Sequence, residues 1–253
     1  MFALFVAILS PLAIVLSGPL LAAEAQLLWA NNGTTHEIMI AHYNDQQWTD
    51  AESIYQSDNP LTSVAMATDL DGGKIVVFSE ILKTRTVLMK MQMHPQSLAW
   101  SNAELFVDFG KENFAASLVT DASNTVWLFW SANNGGLDDI YFIRRTSSGW
   151  SVPQRVNEKN EVPDIKPHAR INNNGEVEVQ WQTYSVLLRN YQSARSVLTT
   201  ESSKTEADKT LPSPEISLSE VHLPAIVKKQ LSSLIHFPSN ILVQSIRLES
   251  ASN

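Results

Sequence analysis

The chain has 253 residues, 44% of them hydrophobic, and 18 Lys and Arg against 26 Asp and Glu give a formal net charge of −8. That is enough chain for one large domain or two small ones, and an acidic chain without a basic run does not suit a phosphate backbone, so nucleic acid is not an expected partner. The absence of cysteine removes disulfides, thiol catalysis, cysteine-ligated zinc and a lipid-modified N-terminal cysteine.

Residues 1–25, MFALFVAILSPLAIVLSGPLLAAEA, carry no charged side chain before Glu24. Ala23-Glu24-Ala25 has the small-x-small form of a signal-peptidase site. The expectation is a signal peptide over 1–25, a mature start at Gln26 and an exported (periplasmic or secreted) protein. A basic n-region is missing and the run is long enough to span a bilayer, so an uncleaved anchor is the competing reading. Pro11, Gly18 and Pro19 interrupt the run, and no later segment is apolar enough to cross a membrane once it is removed.

Beyond Gln26 the chain repeats itself. Leu27-Leu28-Trp29 and Glu37–Tyr43 read as strands and lead to Trp48. Ser63–Asp69, the turn LDGGK, Ile75–Phe78 and Thr86–Met91 follow, leading to Trp100. Ala115–Asp121, the turn ASNT, Val126–Trp130 and Asp139–Arg144 then lead to Trp150. Lys166–Asn172, the turn NNGE and Val177–Trp181 begin a fourth copy that fades after Tyr184. The three tryptophans lie 52 and 50 residues apart, and Asp69, Asp121 and Asn172 lie 52 and 51 apart. Asn, Asp and Gly suit the turns because they tolerate positive φ or bond locally to the backbone. Short strands rich in β-branched and aromatic residues make an all-β pattern, and a period of about 51 residues points to propeller blades.

The expected fold is therefore all-β: a short or incomplete β-propeller of three to four four-stranded blades over 26–192. One blade (27–55) lacks its first strand, two are full (62–108 and 114–156), and a fourth starts at Lys166. Trp48, Trp100 and Trp150 are expected to pack between sheets. Trp127 and Trp130, flanking Phe129, are assigned to one face of their strand. Residues 193–221, rich in Ser, Thr, Glu, Lys and Pro, read as a flexible linker. In 222–253, Pro224–His236 reads as a helix and Asn240–Glu249 as a strand that could complete the first blade and close the ring. A tail unrelated to the ring, and a second copy completing the propeller as a homodimer, stay open beside it.

The stretches PHARINNNGEVEVQWQTY and VWLFWSANNGGLDDIYFIRRTSSGWSVPQRVN resemble blades of the sialidase-like (BNR-repeat) propellers, over residues 27–184. The hallmark Asp-box turn of that family is degenerate: YNDQQW, MHPQSLAW and RTSSGW keep the Trp, and only the last keeps the Gly, as Gly149. The resemblance implies a catalytic set of three arginines, a Tyr–Glu pair and an acid/base Asp. The Phe/Tyr-Arg-Ile-Pro segment has no counterpart, and Tyr141 sits in a third strand, so no catalytic residue is assigned.

The resemblance also places the ligand face at the loops between blades and between second and third strands. Mapped here, these are 31–36, 56–61, 82–85, 108–113, 131–138 and 157–166, which carry His36, Arg85, Asp108, Lys111, Asp138 and Lys159, with His168 and Arg170 nearby. Asp138-Asp139 and Arg144-Arg145 are adjacent strand residues that point to opposite faces, poor geometry for an acid/base pair or an anion clamp. The six histidines show no metal-binding spacing, and no phosphate loop or nucleophile elbow occurs, so neither metal nor cofactor is expected. Asn32-Gly33-Thr34 fits a glycosylation sequon. Three readings follow: an exported, non-catalytic module binding a glycan or a cell-surface protein; a divergent glycoside hydrolase of exo-sialidase type; and a truncated structural piece completed by a partner chain.

Overall fold

A computed structural model describes residues 24–44, 47–69, 71–198, 203–206 and 245–249. The expected helix at 224–236, most of the expected leader and the greater part of the linker lie outside these residues. The described residues form four antiparallel sheets and contain no helix.

The second sheet shows the plan of a blade. Strands β5 (Leu61–Thr68), β6 (Lys74–Ile81), β7 (Thr86–Met93) and β8 (Glu104–Val107) pair in chain order. The third repeats it with β9 (Glu112–Thr120), β10 (Val126–Asn133) and β11 (Asp138–Thr146), and its outer position is shared by the short β12 (Gly149–Trp150) and β13 (Gln154–Arg155). The first contains β1 (Glu24–Asn32), β2 (His36–Asn44), β3 (Gln47–Trp48) and β4 (Glu52–Ser57). Its edge beside β1 is held by β18 (Ser245–Glu249), which pairs antiparallel with β1 in the register Glu24 to Glu249 through Leu28 to Ser245. The fourth is β14 (Asp164–Ile171), β15 (Val177–Ser185), β16 (Asn190–Leu198) and β17 (Ser203–Glu206). The segment read as linker from residue 193 thus begins inside a strand. In NYQSARSVL the buried positions include Ser193 and Ser196 beside Ala194 and Leu198, so small polar residues hide the apolar alternation.

Burial on both faces of the sheets drives this arrangement. Every residue of β10 from Val126 to Ala132 is buried, and so is Ile75 to Glu80 of β6. Alternate side chains feed two different cores because successive strand residues point to opposite faces. Val76 and Phe78 join Leu28, Ile38, Ile40 and Val64 between blades 1 and 2. Ile75 and Val77 join Leu88, Leu128, Trp130 and Ile143 between blades 2 and 3. Trp127 and Phe129 join Phe142, Val179 and Trp181 between blades 3 and 4. Trp127 and Trp130 are therefore on opposite faces, contrary to the expectation: a separation of three is odd in a structure of period two. Trp127 instead stacks on Phe129, 7° from parallel.

The first strands of neighbouring blades are stitched by amide-to-serine hydrogen bonds. The Ala116 amide donates to Ser63 Oγ (3.4 Å) and the Ala169 amide to Ser117 Oγ (2.9 Å). Asn32 bridges blades 1 and 2, donating through Nδ2 to Leu61 O and accepting from Leu61 N. The amide of the sequon is thus a structural clamp.

The turn between first and second strands is the same device three times. Asp69, Asp121 and Asn172 each close a loop by accepting at their carbonyl from Gly72, Asn124 and Gly175, all of which have positive φ. In blades 3 and 4 the side chain caps the loop as well. Asp121 Oδ1 accepts from the amides of Ser123 and Thr125, and Asn172 Oδ1 from those of Asn174 and Glu176. Asp121 Oδ2 adds a bond from Trp127 Nε1 at 2.8 Å. Asp121→Ala is expected to cost about 2 kcal/mol in urea unfolding, since it strands these donors. Asp121→Asn should cost about half as much, because an Asn already caps the equivalent turn of blade 4. Equal losses for the two variants would refute this division of labour.

Candidate functional site

Chain direction fixes which residues share an end of the blades. First strands run from the inter-blade connections toward the Asx turns, and second strands run back. The inter-blade end therefore gathers the loops 33–35, 58–60, 82–85, 108–111, 134–137, 156–163 and 186–189. Gly110 lets two of these loops touch: at φ +73° its backbone lies so close that an added Cβ would sit 2.8 Å from Asn134 Cα, and the Lys111 amide donates to Asn133 O.

The residues expected at this face are distributed as follows. Arg85 and Asp108 meet, Nη2 to Oδ2 3.1 Å, as a half-exposed pair. His36 is fixed by Asn32, Nδ1 to Oδ1 3.0 Å. Lys111 and Lys159 are exposed on their loops, and Asp138 is half-buried at the start of β11. His168 and Arg170 belong elsewhere. Because β14 starts at Asp164 and runs to the turn at Asn172, His168 is mid-strand and Arg170 lies near the opposite end. Arg170 is paired with Glu178 of β15. Burial, then the charge of Arg170, pulls the His168 imidazole below its usual range.

The most connected groups at this end are ones the repeat alone did not single out. Asp164 is 1% exposed and spends both oxygens internally. Oδ1 accepts from Trp181 Nε1 (2.9 Å), and Oδ2 accepts from Asn157 and Asn160 (both 2.8 Å). Asn157 also donates to Asp139 Oδ1 and accepts from the Ile140 amide. Asp139 Oδ2 takes Arg155 at 3.1 Å, and Arg155 donates to Tyr141. In blade 2 the buried Glu80 accepts from Ser57 and Asn59 at Oε1 and from Tyr55 at Oε2. These carboxylates join strands and loops together. Among the described residues no cluster of acids and histidines has the geometry to hold a metal ion.

Asp138 differs from them in its bonding: its Oδ1 is buried without a partner among the described residues. Burial pushes its carboxyl above the usual range, the neighbouring charges of Glu112 and Asp139 add to the rise, and a bond from Asn133 opposes it. An acid with a raised folded-state pKa keeps its proton longer in the fold than in the unfolded chain. Its unfavourable contribution therefore grows as pH rises from the ordinary value of 3.8 through the raised one. Asp138→Asn should accordingly be more stable than the wild type at pH 7, with the gain vanishing below about pH 4. Urea midpoints against pH would test this; a gain independent of pH would contradict it.

No family model and no curated protein sequence matches the chain. Solved structures share its architecture. A protein of unknown function from Dyadobacter fermentans DSM 18053 aligns with TM-score 0.54 at 9% identity, over 70% of this chain and 60% of that one, so the chain spans less than two thirds of that protein. An endo-arabinase from Bacteroides thetaiotaomicron VPI-5482 gives TM-score 0.54 at 10% identity, over 75% of this chain and 77% of that one. The NanB sialidase from Streptococcus pneumoniae gives 0.46 at 14%, over 65% and 27%. Likeness to the first two at these identities establishes fold and not activity: the chain is an all-β, propeller-like array of four antiparallel sheets.

Proposed function

We propose that the chain is an exported, non-catalytic propeller module that binds a glycan through its inter-blade end. One observation carries the non-catalytic part. Asp139, Asp164 and Glu80 have their oxygens occupied by Arg, Asn, Ser, Tyr and Trp donors of the scaffold. A general acid or base must instead present an oxygen to the substrate. The glycan part is supported by fold-level analogy to the endo-arabinase and by a rim of exposed hydrogen-bonding groups, Arg85, Asp108, Lys111 and Lys159. The degenerate Asp-box turns, which keep their tryptophans, fit descent from sialidase-like propellers that lost the reaction. Export rests on the apolar leader and the Ala23-Glu24-Ala25 motif.

Asp138 favours a second reading, a divergent glycoside hydrolase. A half-buried carboxyl that stays protonated at higher pH suits a general acid. Purified mature protein applied to a glycan array and to an aryl-glycoside panel separates the two. The binding reading expects retention on the array without turnover, and about a tenfold loss of affinity for Arg85→Ala, the worth of one good charge-assisted contact. Turnover that disappears in Asp138→Asn would establish the hydrolase instead, and neither binding nor turnover would remove both. N-terminal sequencing of secreted material should start at Gln26.

A further inference from the structure

A groove opens at the Asx-turn end of the blades, away from the inter-blade loops. A cavity of about 720 Å³ is lined by Gln26, His42, Glu52, Lys74, Leu98 and Trp100 among others. A second of about 400 Å³ continues it past Asp71, Gln92, His94 and the Asp69–Arg145 pair. Trp100, Lys74, Met93 and Ala99 line both, so the two form one trough across blades 1 to 3. The larger cavity alone falls in the size range of small-molecule sites.

The repeat shows what built it. In blades 1 and 3 the conserved-position Trp pairs with the third strand across four residues, Tyr43 to Trp48 and Arg145 to Trp150. In blade 2 six residues separate Met93 from Trp100. The two added residues raise the wall His94–Ala99. Insertions in a repeat protein collect on one face, often the binding face. At the crest Leu98 is 69% exposed and held at φ +53°. A large apolar residue in that conformation is costly and is kept where the surroundings impose it, often at ligand sites.

The chemistry of the lining selects the occupant. Trp100 packs partly on the blade 1–2 core and leaves the rest of its ring in the trough. Gln26 lies beside it. Its Nε2 meets His42 Nδ1 at 3.2 Å, while His42 Nε2 lies 4.0 Å from Glu52 Oε1. Gln26 Oε1 is then a buried acceptor with no partner among the described residues. A ligand hydroxyl satisfies that atom, and would equally satisfy a flipped amide, because it both donates and accepts. Lining acids (Glu52, Asp69, Asp71) nearly balance lining bases (Lys74, Arg145), which gives no strong pull on an ion of either sign. An aromatic surface for the C–H face of a sugar ring, an unpaired acceptor for its hydroxyls and a near-neutral lining describe an uncharged saccharide.

We propose that this trough is a second saccharide site, on the face opposite the inter-blade loops, with Trp100 as platform and Gln26, held by His42, as hydroxyl partner. It stands independently of the inter-blade reading. The test is titration of the full mature chain with neutral oligosaccharides (xylo-, arabino- and cello-hexaose), read by tryptophan fluorescence and calorimetry. At least one should bind saturably, with affinity reduced about tenfold or more in Trp100→Ala and in Gln26→Ala. Gln26→Ala guards against a folding defect in the Trp100 variant, and melting temperatures check both. No saturable binding at millimolar concentration overturns the proposal, as does binding unchanged in a folded Gln26→Ala variant. A probe whose affinity falls with Arg85→Ala and not with the trough variants also overturns it, while leaving the inter-blade reading in place.

Discussion

The two inner sheets of this protein must each hide two faces, and that requirement organises everything else. An inner sheet in a row of four has a neighbour on either side, so its central strand can expose neither set of side chains. β6 and β10 consequently read as nearly unbroken apolar runs, IVVF and VWLFW, with odd positions feeding one core and even positions the other. The same demand makes the repeat visible. A blade that could not present matching faces at matching heights would leave a void, and densely packed interiors charge for voids.

Burying aromatic rings at a fixed height brings a second requirement, because an indole carries a donor. Phe78, Trp130 and Trp181 occupy equivalent positions of the second strands. Facing them at the start of the first strands are Leu61, Asn113 and Asp164, all buried. The pairing follows chemistry: Leu61 where the ring is a phenyl, an Asx oxygen where it is an indole, at 3.0 Å from Trp130 and 2.9 Å from Trp181. A polar group buried without a partner costs more than the bond itself returns, so the substitution of Leu by Asn or Asp travels with that of Phe by Trp. This explains why a carboxylate is buried at the inter-blade end. Asp164 is there for an indole, and Asn157 and Asn160 are there for Asp164.

The strand positions and turns were legible because they obey the repeat. The Asx turns, the alternation in the middle strands and the packing role of the recurring tryptophans all follow from period and residue type. Trp150 packs across sheets against Phe106 and Trp100 against the blade 1–2 core, while Trp48 meets Tyr43 of its own sheet. What escaped did so for specific reasons. β16 is invisible to an apolar pattern because Ser193 and Ser196 occupy buried positions. Arg170 was drawn to the wrong end because its distance along β14, not its nearness in sequence to a loop, decides where it lies. Arg144 and Arg145, adjacent in the chain, do separate as strand geometry demands: one lies over Trp127, the other pairs with Asp69 across to blade 2. The network around Asn157 draws on β11, β14 and the loop between β13 and β14, and no local spacing encodes such a meeting.

Repetition explains the fold and by the same token explains little of function, since identical units present identical surfaces. Specific chemistry has to arise where the copies differ. At the inter-blade end one such difference is absorbed internally: Glu80 replaces the alanine and threonine of the later blades, Ala132 and Thr183, and accepts hydrogen bonds from Tyr55, Ser57 and Asn59. At the other end the longer turn of blade 2 borders a trough, holds a leucine in a left-handed conformation and lies beside Gln26, whose Oε1 has no partner among the described residues. A departure from the repeat that the scaffold satisfies is structural. One that borders a trough beside an acceptor without a partner among the described residues is where we propose that a ligand binds.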